Sequence, residues 1–273
     1  MKNKILIVGK GFIGTRLQGA FGCALSAKRI RSFKDAEQEI KKYNPAIIIN
    51  CVGHTGKVNI DDCERDKDKT LSSNVFVPLM LAEAALRNKV KLIHISSGCI
   101  YHFDYSKGKP ITEEKMPDFY ELFYSRTKIY AERALEVFSQ KFDVLILRIR
   151  TVLDNRPHRK NIFSKLLKYK GIVDVPNSVT YMPDFIKALR HLIKTDARGI
   201  YNVVNKGSLR YPELLDIYKK YRPHFKYKVA TYKELGLVRP NLLLSTEKLQ
   251  KSGFRIRNIN EILEECVKNY LKY

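Results

Sequence analysis

A doubly wound parallel α/β sheet with a smaller C-terminal lobe is the fold class that the sequence predicts. Three observations predict it. Short β-branched runs alternate with helical patterns through the first half of the chain. These apolar runs show no period-two alternation, which fits strands buried on both faces. A glycine cluster follows the first run directly, where a strand would turn into a helix. Strand–helix–strand alternation of this kind means a parallel sheet covered by helices, and right-handed crossovers leave a doubly wound topology.

Taken in order, Ile5–Val8 reads as a buried strand, Phe12–Phe21 as a helix and Ala24–Ala27 as a second strand. Lys34–Tyr43 is helical and stops at Asn44-Pro45, and Ala46–Asn50 is the third strand. Asn74–Asn88 is an amphipathic helix, Lys91–Ser96 a strand, Glu121–Gln140 a long helix and Asp143–Arg148 a strand. Periodicity weakens after Arg150. Asn161–Tyr169 reads as a helix, Ile172–Val175 as a short strand ended by Pro176, and Pro183–Lys194 as a helix with proline at its start. Gly199–Val204 is another strand, and Glu213–Tyr221 and Ile259–Leu271 are helices. The expected division is a first domain over 1–150, with a return around 178–205, and a lobe built mainly from 151–273.

Composition narrows the function. The chain has 273 residues, and 51 Lys and Arg against 28 Asp and Glu give a net charge of +23. Such a surplus implies polyanionic partners: nucleic acid, a membrane surface or phosphorylated small molecules. The five cysteines, Cys23, Cys51, Cys63, Cys99 and Cys266, are odd in number and form no CxxC pair. Neither a disulfide framework nor a zinc site is expected, and a reducing cytoplasm is the default. The apolar run Ile5–Val8 is too short for a signal peptide or a membrane span, so a soluble, unprocessed chain is expected.

Gly9-Lys-Gly11-Phe-Ile-Gly14 is GxGxxG between a strand and a helix. Gly9 suits the tight turn, Gly11 lets the backbone approach a pyrophosphate, and Gly14 allows close helix–strand packing. An acidic residue about 20 positions onward would favour NAD. The sequence there is Ser26-Ala-Lys28-Arg29-Ile-Arg31, with no carboxylate before Asp35. This basic cluster suits a 2′-phosphate, so NADP is preferred, with NAD as the alternative.

Tyr124-Ser-Arg-Thr-Lys128 is YxxxK at the start of a helical segment, and a spacing of four puts both side chains on one face. An ammonium beside a phenol favours the phenolate and makes the tyrosine a proton donor and acceptor near neutrality. Tyr105 and Lys109 share the bare pattern, but Gly108 and Pro110 argue against a helix there. Ser96 and Ser97 end a strand, the place where ligands sit in open parallel sheets.

Together these elements resemble the extended short-chain dehydrogenase/reductase family, a Rossmann fold. Within it the chain is most similar to nucleotide-sugar 3,5-epimerase/4-reductases that complete UDP-L-rhamnose synthesis. The resemblance rests on Gly53-His-Thr55-Gly56-Lys-Val-Asn59, on Ser97-Gly98-Cys99-Ile100 and on Phe123-Tyr-Ser-Arg-Thr-Lys128. It continues in Asn161-Ile-Phe-Ser-Lys165, Val173-Asp-Val-Pro-Asn177-Ser178 and Gly199-Ile-Tyr-Asn202. The resemblance implies Ser97, Tyr124 and Lys128 as the reductase triad, and Cys99 and Lys165 as the epimerisation pair. It implies cofactor contacts at Gly9, Gly11, Phe12, Ile13, Gly14, Ser26, Lys28, Arg29, Cys51, Val52, Gly53, Tyr124 and Lys128. Thr55, Gly56, Asn59, Asn161, Asn177, Ser178 and Arg239 fall to the nucleotide-sugar. The relatives carry GxxGxxG, one residue longer than the loop here.

The implied substrate is a UDP- or dTDP-4-keto-6-deoxy-D-glucose, supplied by an upstream 4,6-dehydratase. Its C4 ketone acidifies the protons on C3 and C5, so a base and an opposite-face acid can invert both centres. A thiol starts near pKa ~8.5 and falls beside cations, which suits Cys99 as the base, with Lys165 as the acid. No metal is required, and a homodimer is the family expectation. Two alternatives stand beside this. One is a 4-reductase that lacks epimerase activity. The other is a nucleic-acid-binding protein on a similar scaffold, although Lys and Arg are spread from Lys2 to Lys272 rather than gathered on one stretch.

Overall fold

A computed structural model describes residues 4–139 and 142–273. The first half builds its strands where the apolar runs fall: β1 (Ile5–Val8), α1 (Phe12–Phe21), β2 (Ala24–Ser26), α2 (Phe33–Tyr43) and β3 (Ile47–Asn50). Next come α3 (Asp62–Arg65), α4 (Lys67–Leu71), a π-helical turn over Ser72–Phe76, α5 (Val77–Arg87) and β4 (Lys91–Ser97). The long helix α6 (Phe123–Ser139) and β5 (Val144–Ile149) follow. Later elements are β6 (Val152–Leu153), α7 (Ile162–Leu166), β7 (Thr180–Tyr181), α8 (Met182–Lys194), β8 (Gly199–Asn202), α9 (Tyr211–Tyr221), α10 (Glu247–Lys251) and α11 (Leu263–Tyr270).

The main sheet runs β2-β1-β3-β4-β5-β8. The pairings β1–β2, β1–β3 and β3–β4 are parallel, with Val8 opposite both Ser26 and Asn50, and Asn50 opposite His94. The chain steps from β1 outward to β2, then returns past β1 to β3. The strand order therefore reverses between β1 and β3, and their carboxyl ends border the crevice where ligands bind in such sheets.

The chain divides into two compact units. The first comprises residues 1–100, 119–148 and 196–201. Its core is the apolar strands packed on the Leu81, Ala82, Ala84 and Ala85 face of α5. A fully buried ion pair, Arg148 with Glu132 at 2.7 Å, ties β5 to α6. The second comprises 101–118, 149–195 and 202–273, and packs Phe163, Tyr181, Leu214, Leu215 and Val267 together. Two stretches fall differently from the sequence division. Residues 101–118 go with the second unit, and of 178–205 only Asp196–Tyr201 goes with the first.

Four sequence assignments need correction. Ile172–Val175 is no strand: only Ile172 bridges, to Val229, and Gly171 and Pro176 on either side weaken strand pairing, glycine by its flexibility and proline by its missing N–H. The helix expected over Asn74–Asn88 is reached through the π turn, which shifts its early register. The strand expected over Gly199–Val204 stops at Asn202. Ile259–Leu271 is a short 3₁₀ turn, Ile259–Glu261, followed by α11. Gln140, the expected end of the long helix, lies outside the described residues. Among the described residues, no helix is long and apolar enough to cross a membrane.

Candidate active site

The glycine loop is shaped by close contact. Gly9 has φ +109°, and a Cβ there would lie 2.9 Å from the Val52 nitrogen. A Cβ on Gly14 would lie 2.0 Å from the Gly9 carbonyl oxygen, so helix α1 and the loop meet at a distance that only glycine permits. Gly11 is different: nothing lies within 4 Å of its Cβ position. It is the N-cap of α1, and no side chain caps that helix. Open space in front of an uncapped helix N-terminus at the sheet's reversal point fits a dinucleotide's pyrophosphate. The residues that would hold it are Gly9, Gly11, Phe12, Ile13 and Gly14, with Cys51, Val52 and Gly53 beside them. The Cys51 thiol is pushed up by burial and by neighbouring Cys23, so it stays protonated.

Beyond β2, Ser26 is buried and its hydroxyl accepts from the Lys28 N–H at 3.1 Å. The Lys28 ammonium is 3.1 Å from Asp35 and donates to Gln38 at 2.7 Å. Asp35 is held down at about 2, first by the Arg31 backbone N–H and then by Lys28. The basic cluster therefore contains its own counter-ion, while Arg29 is exposed.

Helix α6 is docked turn by turn onto the end of β4. Glu64 accepts from the Phe123 N–H, and the Ser125 hydroxyl donates to the Cys99 carbonyl at 2.6 Å. The Thr127 hydroxyl accepts from the Asn74 amide at 3.1 Å. The Lys128 ammonium donates to the Ile95 carbonyl at 3.4 Å, and Ser96 donates to Glu132 at 2.5 Å. Tyr124 and Lys128 are both buried on the first turns of this helix and share a face. Ser97 closes β4, and its hydroxyl accepts from the Cys99 N–H at 3.1 Å. Gly53 completes the connection, because its Cβ position lies 3.7 Å from the Lys128 ammonium nitrogen. Gly9 thus meets Val52, Gly53 lies beside Lys128, and the Lys128 ammonium reaches the Ile95 carbonyl of β4, the strand that ends in Ser97 just before Cys99. The other YxxxK pair is not helical, and Tyr105 donates to the Pro176 carbonyl instead.

Burial brings Lys128 down to about 8, against the pull of Glu132, Cys99 and Cys63. An ammonium that titrates there would support a neighbouring phenolate only below that pH. In a reductase using this pair, kcat/KM for the keto substrate is expected to fall as pH rises through about 8 in the free enzyme. Lys128→Arg, whose charge does not titrate, should remove that basic limb; a limb unchanged in the arginine variant counts against Lys128 as its source.

Thr55, Gly56 and Asn59 lie in the loop after β3. Gly56 has φ +70°, and its Cβ position is 1.9 Å from the Asn59 carbonyl oxygen. The Asn59 side chain accepts from the Asp61 N–H, so it shapes its own turn. Asn74, which the periodicity treated as an ordinary helix start, is fully buried in the π turn. It accepts from the His54 N–H at 2.7 Å and donates to the His54 carbonyl at 3.1 Å. Its signal is a buried amide on a face of otherwise apolar residues, beside a π turn of the kind that recurs at functional sites.

In the second unit, Asn161 caps α7, and its amide is saturated by the backbone of Asp154, Arg156 and Phe163. Asn177 donates to Asn241, and Ser178 accepts from the Leu244 N–H, so both pin the segment after Arg239. These three side chains hold loops as their first task. Lys165 lies on α7 and is lowered to about 8, first by burial and then by Lys160, Arg239 and Arg159.

Comparison with known proteins decides the family. The RmlD substrate-binding domain family matches residues 3–272. The chain belongs to the RmlD family. A bifunctional dTDP-4-dehydrorhamnose 3,5-epimerase/reductase of Arabidopsis thaliana is 31% identical over 251 residues, which is 88% of this RmlD-family chain and 82% of the plant protein. A trifunctional UDP-glucose 4,6-dehydratase/3,5-epimerase/reductase of the same plant is 32% identical over 84% of this chain. The RmlD-family chain spans about a third of that protein's length (35%). The crystal structure of the UDP-rhamnose synthase of Acanthamoeba polyphaga mimivirus superposes with a TM-score of 0.90 at 26% identity, covering 97% of this chain and 99% of that one. Solved structures that share this fold hold NADP in one case, NADPH in another, and NAD in two structures of one protein.

Proposed function

We propose that the protein is a bifunctional 3,5-epimerase/4-reductase that converts a nucleoside-diphospho-4-keto-6-deoxy-D-glucose, with UDP as the carrier, to the L-rhamnose nucleotide. The observation that carries the reductase half is that the glycine loop, Gly53, Lys128 and the Ser97 end of β4 are linked, with the Lys128 ammonium beside Gly53 and bonded to the Ile95 carbonyl of that strand. Bound NADPH supplies the hydride for the C4 carbonyl. The chain's own residues handle the oxygen: Ser97 donates a hydrogen bond to it, Tyr124 delivers the proton, and Lys128 holds the phenol's charge in check. NADPH is preferred over NADH because Lys28, Arg29 and Arg31 follow β2, with Asp35 as the resting partner of Lys28.

For the epimerase half, Cys99 is the base and Lys165 the acid. The backbone of Cys99 is fixed from both sides, by Ser97 and by Ser125. Lys165 titrates close to neutrality, so it can give up a proton and regain it. The 4-keto sugar comes from a 4,6-dehydratase activity, and the enzyme works in the cytoplasm as a homodimer.

The test is turnover in deuterated water with NADPH and UDP-4-keto-6-deoxyglucose. Deuterium is expected at both C3 and C5 of an L-rhamnose product. Cys99→Ala and Lys165→Ala should each abolish that exchange and still reduce a ketone that is already epimerised. A wild-type enzyme that takes up deuterium at neither carbon is a pure 4-reductase.

A further inference from the structure

A buried polar pair beneath the dinucleotide loop has no part in the chemistry above. Asn50 ends β3, His94 sits opposite it on β4, and both are fully buried. The Asn50 side-chain oxygen accepts from the Val52 N–H at 3.0 Å. Its amide nitrogen is 3.1 Å from His94 Nδ1. An amide nitrogen only donates, so Nδ1 is the acceptor and the ring proton sits on Nε2. Burial, and secondarily the charge of Lys128, keep the imidazole neutral. Nε2 has no hydrogen-bond partner among the described residues.

A buried N–H without an acceptor is destabilising, because the group is stripped of water and gains no partner. Leucine or phenylalanine would fill comparable space without that cost. What the imidazole adds is the Nδ1 acceptor. That acceptor decides which way round the Asn50 amide lies, and the amide oxygen then fixes the Val52 N–H. The Val52 nitrogen is the atom 2.9 Å from the Cβ position of Gly9, so the glycine turn rests on the end of this relay.

We propose that His94 is a positioning residue for the dinucleotide, setting through Asn50 and Val52 the turn on which Gly9 lies. The proposal rests on the dinucleotide reading and is tested without the sugar substrate. NADPH affinity is measured by fluorescence titration of the wild-type protein, His94→Leu, His94→Asn and Asn50→Ala. His94→Leu is expected to weaken NADPH binding about tenfold, roughly one lost hydrogen bond. His94→Asn, whose side-chain oxygen can stand where Nδ1 does, should recover most of it. Should His94→Leu not fold, Asn50→Ala carries the same test, with the same direction of loss. Combining His94→Leu with Asn50→Ala should cost no more than Asn50→Ala alone, because both cut one chain of bonds. In turnover, the loss should fall on KM for NADPH more than on kcat. Unchanged NADPH affinity in the variants, or losses that simply add, would overturn the proposal. A wild-type protein that binds neither NADPH nor NADH overturns the dinucleotide reading itself.

Discussion

Tyr124→Phe is expected to slow 4-keto reduction by about 10³-fold, the middle of the range for loss of a positioned proton donor. Only the hydroxyl is removed, and the ring that fills the buried first turn of α6 stays. The docking of α6 through Glu64, Ser125 and Thr127 does not involve the phenol oxygen, so the fold should hold. NADPH affinity should therefore stay near the wild-type value while single-turnover oxidation of NADPH, followed by absorbance, collapses. A reduction rate close to wild type would remove Tyr124 from its role.

Gly14→Ala is expected to act on binding just as sharply. Its methyl group would stand 2.0 Å from the Gly9 carbonyl, a backbone atom held by the Val52 turn behind it. Relief requires moving the loop away from α1, at a cost of about 2–3 kcal/mol, which corresponds to about hundredfold in dinucleotide affinity if the ligand selects the undistorted loop. The control is Gly11→Ala. Nothing in the protein opposes that methyl group, so melting temperature should be unaffected, yet it occupies the space assigned to the pyrophosphate. NADPH binding should fall in both variants, and stability in Gly14→Ala alone. Undiminished binding in both would show that the loop does not hold the dinucleotide.

The sheet was legible in the sequence because its strands are short apolar runs with sharp stops. Ile5–Val8 ends at Gly9, and Lys91–Ser97 ends in two serines. The glycine loop and the tyrosine–lysine pair were legible for a related reason: both depend on local spacing. What escaped depends on long-range geometry. The π turn at Ser72–Phe76 inserts a register change that a helical period does not register, and it is there that Asn74 reaches both His54 and Thr127. Glu132, four residues after Lys128, carries no pattern that marks it in the sequence. Only the fold brings Arg148 and Ser96 to it. Asn161 was singled out for a ligand, yet its amide is filled by its own loop, a fact that no spacing reveals. Lys28 was read as a phosphate contact, and the fold gives it Asp35 as a partner while no ligand is bound.

The claim on which these expectations depend is that one edge of one sheet brings a nicotinamide hydride and the Tyr124 proton to the same sugar carbonyl. Deuterated NADPH incubated with the 4-keto-L-rhamnose nucleotide tests it most directly, with the product examined by NMR. The account predicts deuterium bound at C4 of an L-rhamnose nucleotide, with one equivalent of cofactor oxidised. Cofactor left unoxidised, or a product with no label at C4, would contradict it.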